Sequence, residues 1–477
     1  MCGRDPLNTL DLCERKENKN KNKNKNKNKN KNKNKNKNKN KTTNANLNPI
    51  HLLIANKNVI PDIIHFIWIG TNKNKNKQYI NIWKQANKDK KIIYWVDKDS
   101  YFFETLQKIL KESIFHKYLD KIKREEELVK IRNEAFNFIW NNIDRMETTF
   151  SLAKKFLEAK NIANWEKRLE GIDDDINDEM NNAICLEKQI STLFSDGMEI
   201  FKKFYYYELI LRRNYACASD LIRIILLKKF GGIYIDVDTL PYFDDSFKYT
   251  NNLLFQEGLK SSEHICIAKS QAFLDLKNGN SYNEKKIINI IKEEKTIDNP
   301  QAYKLSEAIK KDILKRIIKI KPIGKIKCPQ NGILLSTLNC LRGVFFNNIL
   351  CSHKGTIFLN LLLRRILRYY QYIENNGHLF QFCNFDQSLT KNKSTFGILR
   401  YYRNDRFNNN DFVTYYLSGP KLIVSTITFV IKLSSGKLND RQIFNYLCTL
   451  QDDEKGIGFI NQTLDTPGGL ESKWRNQ

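Results

Sequence analysis

The hydrophobic pattern of the chain is sharpest at Ile63-Ile64-His65-Phe66-Ile67-Trp68-Ile69-Gly70, a continuous apolar run closed by glycine. Such a run reads as a parallel strand buried on both faces. A helical pattern over about 78–87 follows, then a second apolar run from Lys91 to Val96 that ends at Asp97. Strand, helix and strand in this order open a doubly wound sheet of the kind that binds nucleotides. From about 100 to 213 apolar residues recur at helical spacing without any proline, as in Phe103-Leu106-Ile109-Leu110 and Leu152-Phe156. That stretch predicts a helical insertion of roughly four or five helices.

The pattern tightens again from Leu221 to Lys229, whose apolar residues share one helical face. Gly231-Gly232 ends that helix before a strand over Ile233 to Val237, which Pro241 prevents from continuing. Mixed segments follow: Leu253-Leu254-Phe255, a lysine-rich helix near 302–320, Ile333-Leu334-Leu335, and a strong helix from about Thr356 to Glu374. Leu422 to Leu433 is apolar and β-branched, which predicts a strand. The fold class is α/β, with a Rossmann-like nucleotide-binding core and a large helical insertion.

Charge changes this picture at one end. Residues 1–48 are low in complexity, with Asn and Lys alternating from Asn18 to Lys41, and are expected to be a disordered basic tail. The formal net charge of +27 includes twelve lysines of that tract, so the remainder is still basic at about +15. This balance favours anionic partners. A lysine-rich tail can reach an anionic membrane surface, whereas nucleic acid is disfavoured because the lysines lack interleaved aromatics. The ten cysteines are dispersed without a Cys-x-x-Cys pair and read as reduced, buried thiols of a reducing compartment. The N-terminus lacks the apolar stretch of a secretory signal, and the longest apolar run, Leu422 to Leu433, is short for a bilayer span. Export would need a non-classical or specialised route.

Candidate chemistry gathers where the central helix meets its strand. Asp236-x-Asp238 at the end of an apolar strand offers hard oxygen ligands for Mg²⁺ or Mn²⁺, and two residues apart both carboxylates share a strand face. Asp220 and Arg223, one helical turn apart, can orient each other beside a ribose hydroxyl, or form an ordinary ion pair. Trp68 can stack on a base, although core packing is the commoner use of an aromatic in such a run. Asp97 either touches a nucleotide or starts a turn, and Asp386 reads as a loop carboxylate. His65 reads as a satisfied core residue, and Arg364 and Arg365 as part of a packing helix with a solvated face.

These residues carry a resemblance. Trp68-Ile69-Gly70, Asn214 to Asp220 with Arg223, Gly231 to Asp238, Leu240-Pro241, Leu417-Ser418-Gly419-Pro420 and the terminal Ser472-Lys473-Trp474 resemble the glycosyltransferase domain of the large clostridial glucosylating toxins and related bacterial effectors. The resemblance covers about residues 60–477, within an expected domain over 59–477. It implies a GT-A fold and retaining, metal-dependent transfer of a sugar, glucose first, from a UDP-sugar to a protein hydroxyl. The acceptor would be a host small GTPase, reached in the host cytoplasm. By resemblance Trp68, with Ile69, holds the uracil, while Ser219, Asp220, Arg223 and Tyr234 hold ribose and diphosphate. Asp238 binds the metal, Asp236 supports ribose and metal, and Ser472 and Trp474 close over both from a C-terminal loop. Where the family has Asn-Gln-Gly near the donor sugar, this chain has Gln330-Asn331-Gly332. The family places a metal-binding glutamate five residues before the closing tryptophan, and here that position is Gly469, with Glu471 out of register. The Lys-Asn tail stands in place of the family's N-terminal helical bundle. A UDP-N-acetylglucosamine transferase and a catalytically silent relative acting as a membrane- or protein-binding module are the alternative readings.

Overall fold

A computed structural model describes residues 56–70, 77–143, 148–162, 165–169, 186–241, 247–259, 262–315, 323–336, 346–381, 394–403, 411–435, 438–439, 441–443 and 459–460. The chain opens with a short strand that the sequence pattern does not announce, β1 (Lys57–Val59), followed as predicted by β2 (Ile63–Trp68), α1 (Lys77–Ala86) and β3 (Lys91–Val96). The insertion follows: α2 (Lys98–Lys117), α3 (Lys121–Asn142), α4 (Thr149–Ala159), α5 (Glu166–Leu169), β4 (Leu186–Gln189), α6 (Glu199–Tyr206) and a π-helical segment, Tyr207–Arg212. It is therefore not purely helical. Leu186–Gln189 pairs in parallel with β3 and extends the sheet, and its four half-exposed polar and apolar residues carry no strand periodicity by themselves.

Next come α7 (Tyr215–Phe230), β5 (Gly232–Ile235), four helices α8 (Lys248–Gln256), α9 (Glu263–Lys277), α10 (Glu284–Lys292) and α11 (Asn299–Lys315), then β6 (Lys327–Pro329), β7 (Leu334–Ser336), β8 (Phe346–Ser352), α12 (Ile357–Asn375), α13 (Thr395–Leu399), α14 (Asp411–Leu417), α15 (Pro420–Ser435) and β9 (Phe459–Ile460). Leu253-Leu254-Phe255 falls within α8. The strand expected over Leu422 to Leu433 is instead the helix α15. Its buried residues, Leu422, Ile423, Thr426, Ile427, Val430 and Ile431, recur every four positions, and Pro420 occupies the first helical position, where its fixed φ suits a helix start. Val413–Leu433 is long and apolar enough to cross a membrane, yet half of its apolar window is buried within the protein, and the Ser418-Gly419-Pro420 corner divides it.

The main sheet runs β4-β3-β2-β5-β8-β7-β9. β4, β3, β2 and β5 are parallel, whereas β8 runs antiparallel to both β5 and β7. Successive strands go leftward from β2 and rightward from β5, so the order reverses between these two strands. At such a reversal the loops beyond the carboxyl ends diverge and leave a ligand crevice. Alternate residues divide the two faces: Ile64 and Phe66 pack with Ile80 and Trp83 of α1, whereas Ile67 joins the helical core that includes α7 and α12. Gly231 and Gly232 adopt φ of +66° and +95°, and a Cβ on Gly232 would stand 2.6 Å from the Ile63 carbonyl oxygen. Only glycine lets β5 approach β2 this closely. His65, buried beside them, accepts from Trp95 Nε1 at 3.1 Å on Nδ1, so its Nε2 donates to the Gly231 carbonyl at 2.9 Å. Burial holds its pKa down at about 4, and it is a neutral, satisfied core residue.

Candidate active site

The crevice at the reversal is built from α7 and the turn after β5. Asn214 caps α7, its side chain accepting from Cys217 N at 2.9 Å, and the helix then buries Asp220 and Arg223 on the face toward the sheet. The strand predicted to reach Val237 ends at Ile235. Asp236 to Thr239 forms a turn in which Thr239 N donates to Asp236 O at 3.0 Å, so the Asp236 and Asp238 carboxylates project from a turn and not from one strand face. Asp236 is partly exposed and Asp238 exposed.

Arg223 ties the site together. Its Nη2 lies 3.1 Å from Asp220 Oδ1 and 3.2 Å from Asp236 Oδ1, and its Nη1 donates to the Asn347 carbonyl at 2.6 Å. The guanidinium sits 4.4 Å from the centre of the Tyr234 ring, and the Tyr234 hydroxyl donates to Asp236 Oδ1. Ser219 joins through Arg223 Nη2 at 3.4 Å and the Tyr234 hydroxyl at 3.5 Å. Asp220 also accepts from Asn347 Nδ2 at 2.9 Å and Ser418 Oγ at 2.8 Å. Burial pushes the Asp220 carboxyl up to about 6 against the opposing pull of Arg223, and raises Asp236 in the same way. Burial also works against the Arg223 cation, but the facing Asp236, Tyr234 and Asp220 outweigh it and raise its pKa.

On the β2 side of the crevice, Trp68 ends its strand half-buried, followed by Ile69 and by Gly70 at φ +113°. Gly70 N donates to Ser100 Oγ at 2.8 Å, tying the end of β2 to the start of α2. Asp97 is the N-cap of α2: its side chain accepts from Asp99 N at 3.0 Å and from the Tyr205 hydroxyl at 2.6 Å.

Among the described residues no group of three or more His, Cys, Asp or Glu side chains could hold a metal ion by itself. Asp236 uses Oδ1 for Arg223 and Tyr234, which leaves Oδ2 without a partner among the described residues, and Asp238 stands exposed two residues on. One or two carboxylates completed by substrate phosphates and water are the ordinary protein share of a Mg²⁺ or Mn²⁺ site, so the residues present fit such an ion.

The matching family model is that of the TcdA/TcdB catalytic glycosyltransferase domain, and it covers residues 62–400. The chain belongs to that family. Its curated relatives include Toxin A of Clostridium novyi, 28% identical over 355 residues, which are 68% of this chain and 15% of that protein. Toxin B of Clostridioides difficile is 30% identical over 224 residues, 42% of this chain and 9% of that protein. The chain thus spans only a small part of the length of these relatives. Among solved structures, the catalytic domain of alpha-toxin from Clostridium novyi matches with a TM-score of 0.60 at 22% identity, over 82% of this chain and 76% of that one. The UDP-bound glycosyltransferase domain of the YGT toxin matches with a TM-score of 0.50 at 16% identity, over 85% and 84%. The fold of this glycosyltransferase domain is that of the GT-A toxin glycosyltransferases.

Within the domain, Trp68, Ile69, Ser219, Asp220, Arg223, Tyr234, Asp236 and Asp238 all stand at the carboxyl end of the parallel strands. Gln330 and Asn331 do not. They precede β7, whose first residue, Leu334, pairs with Cys351, while Cys351 pairs with Ile233 near the start of β5. Asn331 is anchored at that end, where its carbonyl accepts from Phe358 N at 3.2 Å. The length of β5, about 13 Å at 3.3 Å per residue, separates this end of the sheet from Asp236. Gln330 and Asn331 thus stand away from the Asp236 end of the sheet, to which the tripeptide resemblance would bring them, because similarity of a tripeptide does not carry strand direction. Gly469, Glu471, Ser472, Trp474 and Asp386 lie outside the described residues. Asn347 carries no local sequence signal, since antiparallel pairing of β8 with β5 is what brings it to Arg223.

Proposed function

We propose that the chain is a retaining glycosyltransferase that moves glucose from UDP-glucose to a protein hydroxyl, with a host small GTPase as acceptor and Mn²⁺ or Mg²⁺ as cofactor. The observation that carries this reading is Arg223 held between Asp220 and Asp236 at the sheet reversal, with Trp68 on the neighbouring strand. Trp68 offers a ring face for uracil, with Ile69 beside it. Asp220 and Asp236 present carboxylate oxygens to the ribose hydroxyls, and Arg223 keeps both carboxylates in one orientation while Tyr234 and Ser219 limit its movement. A bound divalent ion, held by Asp236, Asp238 and Ser472, would neutralise the departing diphosphate. Ser472 and Trp474 would close over the donor and exclude water, favouring transfer over hydrolysis. The Lys-Asn tail supplies a basic arm for an anionic membrane surface. As a toxin or effector the protein would be exported by a specialised route and act in the reducing host cytoplasm.

The test is incubation with Mn²⁺ and a panel of UDP-sugars, recording which donor is hydrolysed. UDP-glucose turnover that falls at least about a hundredfold on Asp236→Ala or Asp238→Ala is the expected result, a loss typical of removing a transition-state electrostatic group. Preference for UDP-N-acetylglucosamine would reassign the donor. No turnover with any donor and any divalent ion would overturn the enzymatic reading in favour of a binding module.

A further inference from the structure

We propose that Ser418, in the C-terminal α14–α15 layer, is a positioning residue that holds Asp220, while Thr414, one helical turn before it, ties the same layer to Asn214 at the start of α7, so that this layer belongs to the donor site. The proposal rests on the donor-site reading of Asp220 above. Ser418 lies 198 residues beyond Asp220, and its Oγ donates to Asp220 Oδ2 at 2.8 Å. The same oxygen lies 3.2 Å from Cys217 Sγ and 3.4 Å from the Thr414 carbonyl. A hydroxyl has one proton to give, and the carboxylate is the strongest of the three acceptors. Burial keeps the Cys217 thiol protonated, so it can donate to Ser418 Oγ in turn.

Asn214, Cys217 and Asp220, three residues apart, make one edge of α7, and Thr414 and Ser418 face it as a matching pair. At the first rung Asn214 Nδ2 donates to Thr414 Oγ1 at 2.6 Å, with Arg212 Nη2 on the same oxygen at 3.4 Å. Arg212 is itself fixed by Glu208 at 2.8 Å with both side chains fully buried, and Glu208 Oε1 accepts from the Tyr370 and Tyr402 hydroxyls at 2.7 Å each. The second rung is Ser418 on Asp220. Its place is set by the corner at Gly419, where a Cβ would stand 3.0 Å from the Tyr415 Cα.

The consequence lies in how the oxygens of Asp220 are shared. Oδ1 meets Arg223 and Asn347, whereas Oδ2 has Ser418 as its donor. Without that hydroxyl the buried carboxylate could turn about its last bond and lose the orientation that a ribose hydroxyl requires.

The experiment measures UDP affinity of the full chain by titration calorimetry in Mn²⁺, with melting temperatures alongside. Ser418→Ala is expected to weaken UDP binding about tenfold, the scale of one hydrogen bond to a charged group. Ser418→Thr, which keeps the hydroxyl, should restore it. In an Asp220→Asn background Ser418→Ala should add no further loss, because its effect passes through that carboxylate. Thr414→Val keeps the side-chain shape and removes the hydroxyl that ties the layer to Asn214, so it gives a second arm if Ser418→Ala fails to fold, with a smaller loss of UDP affinity. An unchanged affinity in Ser418→Ala, or a full further loss on top of Asp220→Asn, overturns the strap and leaves the donor site standing. A parent chain that binds no UDP overturns the donor site and the strap with it.

Discussion

The Arg223 guanidinium bridges two carboxylates that would otherwise face each other in a poorly solvated crevice. Breaking a buried pair from one side leaves uncompensated charge, so Arg223→Met should cost about 3 kcal/mol or more in chemical denaturation, together with donor turnover. Arg223→Lys should recover little, because a single ammonium cannot span both carboxylates and the Asn347 carbonyl. His65 gives a pH prediction of defined sign. Its pKa falls from 6.5 to about 4 on folding through burial, so between these values the unfolded chain takes up a proton that the folded chain does not. The stability contribution is present above pH 6.5 and is lost as pH falls toward 4, by about 3 kcal/mol in all. His65→Gln should flatten this part of the stability profile, and equal slopes in parent and variant would refute the assignment. The neighbourhood of Trp68, Asp220, Arg223, Tyr234 and Asp236 was legible because each lies within or beside a strongly patterned element: Trp68 ends β2, Asp220 and Arg223 lie within α7, Tyr234 lies in β5 and Asp236 follows it. Asn347 has no local signature, and Ser418 lies in a recognised tetrapeptide that gives no sign of its contact with Asp220.

At the scale of elements, the Gly231-Gly232 hinge between α7 and β5 decides how closely the motif-bearing strand docks. Gly232→Ala would combine a left-handed φ with a Cβ 2.6 Å from a backbone oxygen, whereas Gly258 has φ +64° with open space around it. Thermal melts should therefore show a loss of about 1 kcal/mol for Gly258→Ala, from backbone strain alone, and a clearly larger loss for Gly232→Ala. Equal losses would mean that the contact with β2 is not tight. The α15 helix shows where element type escapes the pattern. Its β-branched apolar run suits a strand by composition, and the four-residue recurrence of its buried positions becomes decisive only when Pro420 is seen to start a helix packed on α12 and the rest of the core.

At the scale of the whole molecule, charge is distributed unevenly, with twelve lysines in the tract ending at Lys41. Deleting residues 2–48 should leave UDP affinity unchanged and sharply weaken binding to phosphatidylserine vesicles at low salt. The difference should shrink as salt shortens the Debye length. Vesicle binding that survives the deletion would move the membrane contact elsewhere. The sequence by itself determined the βαβ opening, the central helix and strand, and the carboxylates and arginine carried in and after them, because local periodicity and short spacings encode these directly. Only the tertiary structure decided that Gln330 and Asn331 sit at the far end of the sheet, that Leu186–Gln189 is a strand, and that Asn347 and Ser418 close around Arg223 and Asp220. Strand direction and the return of a distant helical layer depend on non-local pairing, and local spacing along the chain does not record it.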